Sequence, residues 1–174
     1  MARTSLREKH RQRRATQMLD AALTLFTERG YQATRIEEIA ETASVAPVTV
    51  YNYFFTKPNI LMELALRHVH AALPERRALI ENLPEDPIKG INAFEKLLAE
   101  QALRHLSREC WRIILSAQFL EPGGRAHRTG IRLNLLIKRQ YVGLLRTYQI
   151  RGRLQPWIDV ASLLVIVPWN QISF

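Results

Sequence analysis

Thr49, Tyr51, Asn52 and Tyr53 stand close together in the chain, and Lys57 follows them. A hydroxyl, an amide and two phenols can all donate hydrogen bonds to phosphate oxygens. An amide can also pair bidentately with the edge of adenine, and an ammonium group adds charge. None of these residues sits beside a partner that would activate a nucleophile. The chemistry they suit is recognition of a base-lined groove edged by phosphates.

Two short helices must present this strip. Thr34 with Glu37 three residues later is a capping-box pattern, which places a helix start there. Ile36, Ile39 and Ala40 then share one face. Ser44 and Val45 can turn the chain. Pro47 suits the first turn of a second helix, and the residue before it, Ala46, is biased away from the α region as a cap should be. Val50 and Phe54, one turn apart, point inward. Val48, Thr49, Tyr51, Asn52 and Tyr53 are left largely outward.

Residues 19–57, LDAALTLFTERGYQATRIEEIAETASVAPVTVYNYFFTK, resemble the DNA-binding region of the TetR family of bacterial transcriptional regulators. The most specific parts are Phe26-x-x-x-Gly30-Tyr31, Thr34, Ile39-Ala40 and Thr49-Val50-Tyr51-x-Tyr53-Phe54-x-x-Lys57. Two positions depart from the family: Ser44 and Ala46 stand where glycine and a serine cap are usual. Ala46 is a weak cap, typically costing about 1 kcal/mol against serine. The resemblance implies an all-α fold. A three-helix helix-turn-helix head occupies residues 1–56, and a helical effector-binding and dimerisation body occupies residues 57–174. It implies a homodimeric, ligand-responsive repressor that binds a palindromic operator in double-stranded DNA. The two heads would then sit about 34–36 Å apart, or a multiple of that. It also implies the contacts. Tyr51, Tyr53, Lys57 and the helix start at Thr34 grip phosphate, while Pro47, Val48, Thr49 and Asn52 face base edges.

The remaining sequence is consistent with this expectation. The chain of 174 residues has a formal charge of +9 and a sequence pI near 10.3, a balance that favours an anionic partner. Residues 1–14 hold six cations against the single acid Glu8, which reads either as a solvated tail or as an arm lying along phosphate. Behind them Ala15, Leu19, Ala22, Leu23 and Phe26 make a core-facing stripe ended by Gly30. Lys57-Pro58 opens a fourth helix that Pro74 must stop or kink. The connector LPEDP follows, and then helices over residues 88–106, 110–120 and 125–151. The last of these carries two apolar rows: Ile131, Leu135, Val142 and Leu145 in one, and Leu133, Ile137, Leu144 and Tyr148 in the other. A final helix is expected from Pro156 to Phe174. By resemblance, the last two helices pair with a second subunit. The apolar ending calls either for a covering partner or for further chain.

An effector pocket is expected among the helices of residues 58–151. His68, Phe94, His105, Cys110, Trp111, Phe119 and Tyr141 are its candidate lining, each of which could equally be plain core. One cysteine permits no intrachain disulfide, and with no span or signal segment it fits the cytoplasm. His68 and His70 are spaced to point to different sides of a helix, so no metal is expected. There is no phosphate-cradling glycine loop and no nucleophile elbow, so neither cofactor nor enzyme activity is expected. Two rival readings stay open. One is a helical protein-interaction module without sequence-specific DNA binding. The other is a basic protein that coats DNA without choosing sequence.

Overall fold

The first helix, α1 (Leu6–Arg29), begins where the Ser5 hydroxyl accepts from the Glu8 amide at 3.3 Å. The computed structural model describes residues 5–120 and 123–163, the side chains of 117–120 and 163 excepted. The basic segment, read either as a solvated tail or as an arm, is therefore part of a helix from Leu6 onward. Arg, Lys, Glu and Gln are all good helix formers, and a serine cap relieves the first turn. Residues 6–14 remain exposed, and burial begins with half-buried Ala15, then Met18, Leu19, Ala22, Leu25 and Phe26. Gly30, at φ 84°, ends the helix in a conformation that favours glycine.

Helices α2 (Ile36–Thr42) and α3 (Pro47–Phe54) follow, then α4 (Lys57–Glu81), α5 (Pro87–Leu103), α6 (Arg108–Leu120), α7 (Arg125–Ile150) and the short α8 (Val160–Leu163). Every element among the described residues is a helix.

Three expectations are corrected. The α2 cap lies one residue later than the Thr34–Glu37 pattern implies. Arg35 is the N-cap, and its amide donates to Glu38 Oε2 at 2.7 Å. Thr34 instead donates its hydroxyl to the Gly30 carbonyl at 2.8 Å and is buried. Second, α4 runs through Pro74 without stopping. Pro74 and His70, whose carbonyl loses its partner, are both on the exposed face, where water can serve that carbonyl. Third, residues 156–158 form a turn and α8 starts only at Val160. The remainder of the expected final helix, including Pro168, lies outside the described residues.

Paired contacts fix the body's topology. Arg125 reaches Glu63, and Arg76 reaches Gln140, so α4 and α7 run side by side in the same direction. Contacts of Glu75 with Arg104 and of Arg76 with Gln101 set α5 antiparallel to α4. One core cluster joins the head to the start of α4, to α6 and to Leu133, and it runs across residue 57 without a break. A second holds Leu83, Phe94, Leu98, Ile137, Leu144 and Tyr148 at the far end. The two rows of α7 are resolved as expected. Leu133, Ile137, Leu144 and Tyr148 are buried, whereas Ile131 and Leu135 stay 44% and 47% exposed, with Val142 and Leu145 half-buried.

Candidate nucleic-acid interface

The corner between α2 and α3 is built from Ser44 at φ 51°, a left-handed conformation that a side chain resists. Backbone bonds from Ser44 to Glu41 and from Val45 to Ala40 close it. Gln17 of α1 donates to the Ala43 carbonyl at 2.8 Å and ties the corner to the helix behind. Ala46 supplies no side-chain cap to α3. Ala46→Ser should therefore raise stability by about 1 kcal/mol, visible as a higher urea midpoint at unchanged slope.

The far end of α3 is held as firmly. Buried Asn59 donates to the Phe54 carbonyl at 2.8 Å. Arg125, at the start of α7, donates to the Tyr53 carbonyl at 3.0 Å while its other nitrogen bonds Glu63 at 3.0 Å. Between these fixings, Val50 and Phe54 are buried. Pro47, Val48, Tyr51 and Asn52 are exposed, and Thr49 and Tyr53 half-buried. The outward strip read from the sequence is thus largely present.

Two of the expected phosphate contacts beside it are not. The Thr34 side chain faces the interior. The Lys57 ammonium is occupied by protein: it donates to the carbonyls of Tyr31, Thr34 and Gln32 at 2.9, 2.9 and 3.3 Å, and sits 4.4 Å above the Tyr31 ring. All three of its N–H bonds are used. Partial burial lowers its pKa below the ordinary lysine range, against an opposing pull from Glu109. Lys57 is a staple across the α1–α2 turn. The spacing that marked it could not reveal this, because its partners lie 23 to 26 residues earlier.

Other charges flank the strip. Tyr51 donates to Glu37 at 3.4 Å, and that carboxylate raises the phenol's pKa. Arg35, missed in the sequence, is exposed beside them and enters no ion pair among the described residues. On the other side, Tyr53 shares a groove of about 720 Å³ with Arg7, His10, Arg11 and Arg14 of α1.

Residues 18–64 match the family model described as bacterial regulatory proteins, tetR family. The chain is 30% identical over 105 residues to the HTH-type transcriptional repressor KstR2 of Rhodococcus jostii, covering 53% of this chain and 52% of the relative. It is 23% identical over 150 residues to the HTH-type transcriptional regulator UidR of Escherichia coli K12, covering 84% of this chain and 71% of the relative. In fold it is similar to Thermus thermophilus FadR, a TetR-family repressor solved with lauroyl-CoA. The TM-score is 0.69 and the identity 22%, with 87% of this chain and 75% of that chain covered. Residues 18–64 are a TetR-family DNA-binding region. The chain spans about half the length of its KstR2 relative.

In the body, the expected pocket residues fall in two groups: His68 meets His105 edge-on at 5.3 Å and lies near Trp111, while Phe94 and Tyr141 pack elsewhere. Trp111 alone lines the small cavity between α4, α6 and α7, with Val69, Ile114, Leu133 and Ile137. Its indole donates to the Ala102 carbonyl at 2.6 Å. Half-buried His68 meets Trp111 edge-on at 6.5 Å and bonds the Gln101 carbonyl, and burial lowers its pKa. His105 is exposed, and Cys110 is buried core. Phe94 and Tyr141 pack edge-to-face at 4.9 Å in the second cluster, away from that cavity. The Phe119 side chain lies outside the described residues. Three body residues that the sequence reading passed over (Arg76, Gln101 and Gln140) form a buried polar chain between α4, α5 and α7. Arg76 follows Val69 and Ala72 on the buried face of α4, a face that an end at Pro74 would have cut short.

Among the described residues no group of His, Cys, Asp or Glu could hold a metal, and no helix is long and apolar enough to cross a membrane.

Proposed function

We propose that the protein is a cytoplasmic, homodimeric DNA-binding transcriptional regulator, a ligand-responsive repressor, and not an enzyme. The observation that carries this reading is α3 itself. Its apolar side is buried, both its ends are pinned, and Pro47, Val48, Tyr51 and Asn52 are presented outward. The half-exposed hydroxyl of Thr49 completes the face toward bases. Phosphate is gripped by Tyr51, Tyr53, Arg35 and the α1 cations, roles that Thr34 and Lys57 do not share.

The outer row of α7, centred on Ile131 and Leu135, is the surface for a second copy. Two connections carry information between body and head. Glu109, at the start of α6, accepts from the Tyr31 amide at 3.3 Å, and Arg125 holds the end of α3. An effector that parts α6 and α7 from α4 would pull on both. It changes DNA affinity only insofar as it binds the two arrangements unequally.

Gel shifts with fragmented genomic DNA at several salt concentrations test the reading. Sequence-selective binding with a steep salt slope is expected. Asn52→Ala should cost about 1–3 kcal/mol on the preferred fragment. Arg11→Gln with Arg14→Gln should flatten the slope by about 2 without changing the preference. Equal affinity for all duplexes would favour a protein that merely coats DNA, and no binding would favour a protein-interaction module.

A further inference from the structure

The leading end of α3 is apolar where it meets solvent. Ala46, Pro47 and Val48 are three consecutive exposed apolar residues, and Val48 is 62% exposed. Pro47 suits the first turn of the helix, but Ala46 supplies no side-chain cap and Val48 leaves its side chain in water. The inner face of α3 belongs to Val50 and Phe54. A run of exposed apolar residues does nothing for the fold and is a liability unless a partner covers it.

The hydrogen-bonding groups nearby are mostly engaged within the protein. The Tyr51 hydroxyl turns to Glu37 at 3.4 Å, that of Thr34 bonds the Gly30 carbonyl, and Lys57 holds three carbonyls. Asn52 and half-buried Thr49 remain to read base edges. Cations lie on both sides, Arg35 on one and Arg7, Arg11 and Arg14 of α1 on the other, so the strip they frame suits a polyanion. In a helix-turn-helix the first residues of the reading helix meet base edges. An aliphatic side chain placed there has no donor and no acceptor. What it can distinguish in a major groove is the methyl group at C5 of a pyrimidine.

We propose that Val48, with Pro47 beside it, is a specificity-determining residue that seats a pyrimidine C5-methyl group, that of a thymine in the bound site. This rests on the reading of α3 as the DNA-contacting helix and names a base that it selects. The cations hold the duplex, Asn52 supplies hydrogen bonds, and Val48 supplies a discrimination that owes nothing to charge. Gln17, Asn59 and Arg125 pin the two ends of α3, so the valine is presented in a fixed place and no reordering of the helix opposes the contact.

The fragment preferred in the gel shifts supplies the probe, as synthetic duplexes in which each thymine in turn becomes uracil. That change deletes the methyl group and keeps every hydrogen-bonding group of the base edge. For the full chain, at least one such change should weaken binding about three- to tenfold, the worth of one buried methyl group, and by the same factor at every salt concentration. Val48→Ala, at an exposed position, should melt like the wild type and bring that thymine duplex and its uracil counterpart to within about twofold. Arg11→Gln should weaken both duplexes alike and keep their ratio. At the same position 5-methylcytosine should bind more tightly than cytosine, and less tightly than thymine. A preferred fragment indifferent to every uracil, a uracil effect that survives Val48→Ala, or one that fades with added salt would each overturn the assignment and leave the regulator reading in place. Tighter binding of 5-methylcytosine than of thymine would move the assignment from thymine to methylated cytosine. Failure to select any fragment would instead remove the regulator reading, and this assignment with it.

Discussion

Lys57→Met should lower the stability of the protein by about 2 kcal/mol and its melting temperature by roughly 4–8 °C, and DNA binding should fall with it. The ammonium closes the α1–α2 turn by taking three backbone carbonyls at once, and it adds a cation–π contact with Tyr31. Methionine keeps the stem and removes every one of these contacts. Gln32 is exposed and its released carbonyl can be hydrated, whereas Tyr31 and Thr34 are buried, so most of the loss falls on their two carbonyls. The informative comparison is Asn52→Ala. Asn52 is exposed and its side chain makes no hydrogen bond among the described residues, so its loss should shift stability by less than about 0.5 kcal/mol while weakening binding at least as much. Thermal melts beside gel shifts separate the two roles. A Lys57→Met protein that melts like wild type yet no longer binds would restore Lys57 to the phosphate contacts and overturn its role as a staple.

Gly90→Ala should be more damaging, by about 3 kcal/mol or outright failure to fold. A methyl group at position 90 would lie 1.8 Å from the Tyr148 hydroxyl oxygen and 2.8 Å from the ring carbon that bears it. Tyr148 cannot swing away. It is fully buried in the second core cluster, and the carbonyls of Pro84 and Asp86, 2.9 and 3.2 Å away, share its one hydroxyl proton. Glycine is required here for close approach of α5 to α7 and not for its backbone angles. Adding Tyr148→Phe removes the nearer clash at the expense of the hydroxyl's shared hydrogen bond. The double variant should therefore be more stable than the sum of the single effects predicts, and a denaturant cycle reads that coupling. Strict additivity would mean that the clash is relieved elsewhere.

Much of the fold was legible from patterns local to the chain. Helix positions followed from apolar spacing and from Gly30 and Pro47. The two faces of α7 followed from two interleaved rows, because a row of period near 3.6 reports a buried or buriable surface wherever the helix sits. The outward strip of α3 was legible for the same reason: Val50 and Phe54 claim the inner face and leave the rest. Local rules failed where a competing partner lay elsewhere. The Thr34 pattern looked like a cap, but the Gly30 carbonyl captured its hydroxyl, so Arg35 and Glu38 set the start of α2. Pro74 signalled an end, but α4 packs along α7 on both sides of an exposed proline and keeps its course.

The sequence by itself determined that this chain is helical, that α3 carries a polar and aromatic outer face, and that its long penultimate helix is apolar on two sides. Those properties depend on residues a few positions apart. Only the tertiary structure decided that Lys57 faces inward to three carbonyls, that Arg125 reaches from α7 to the end of α3, and that Arg76 is buried between two glutamines. Each of those depends on groups 23 to 72 residues away, whose distances follow from how the helices pack and not from any local period.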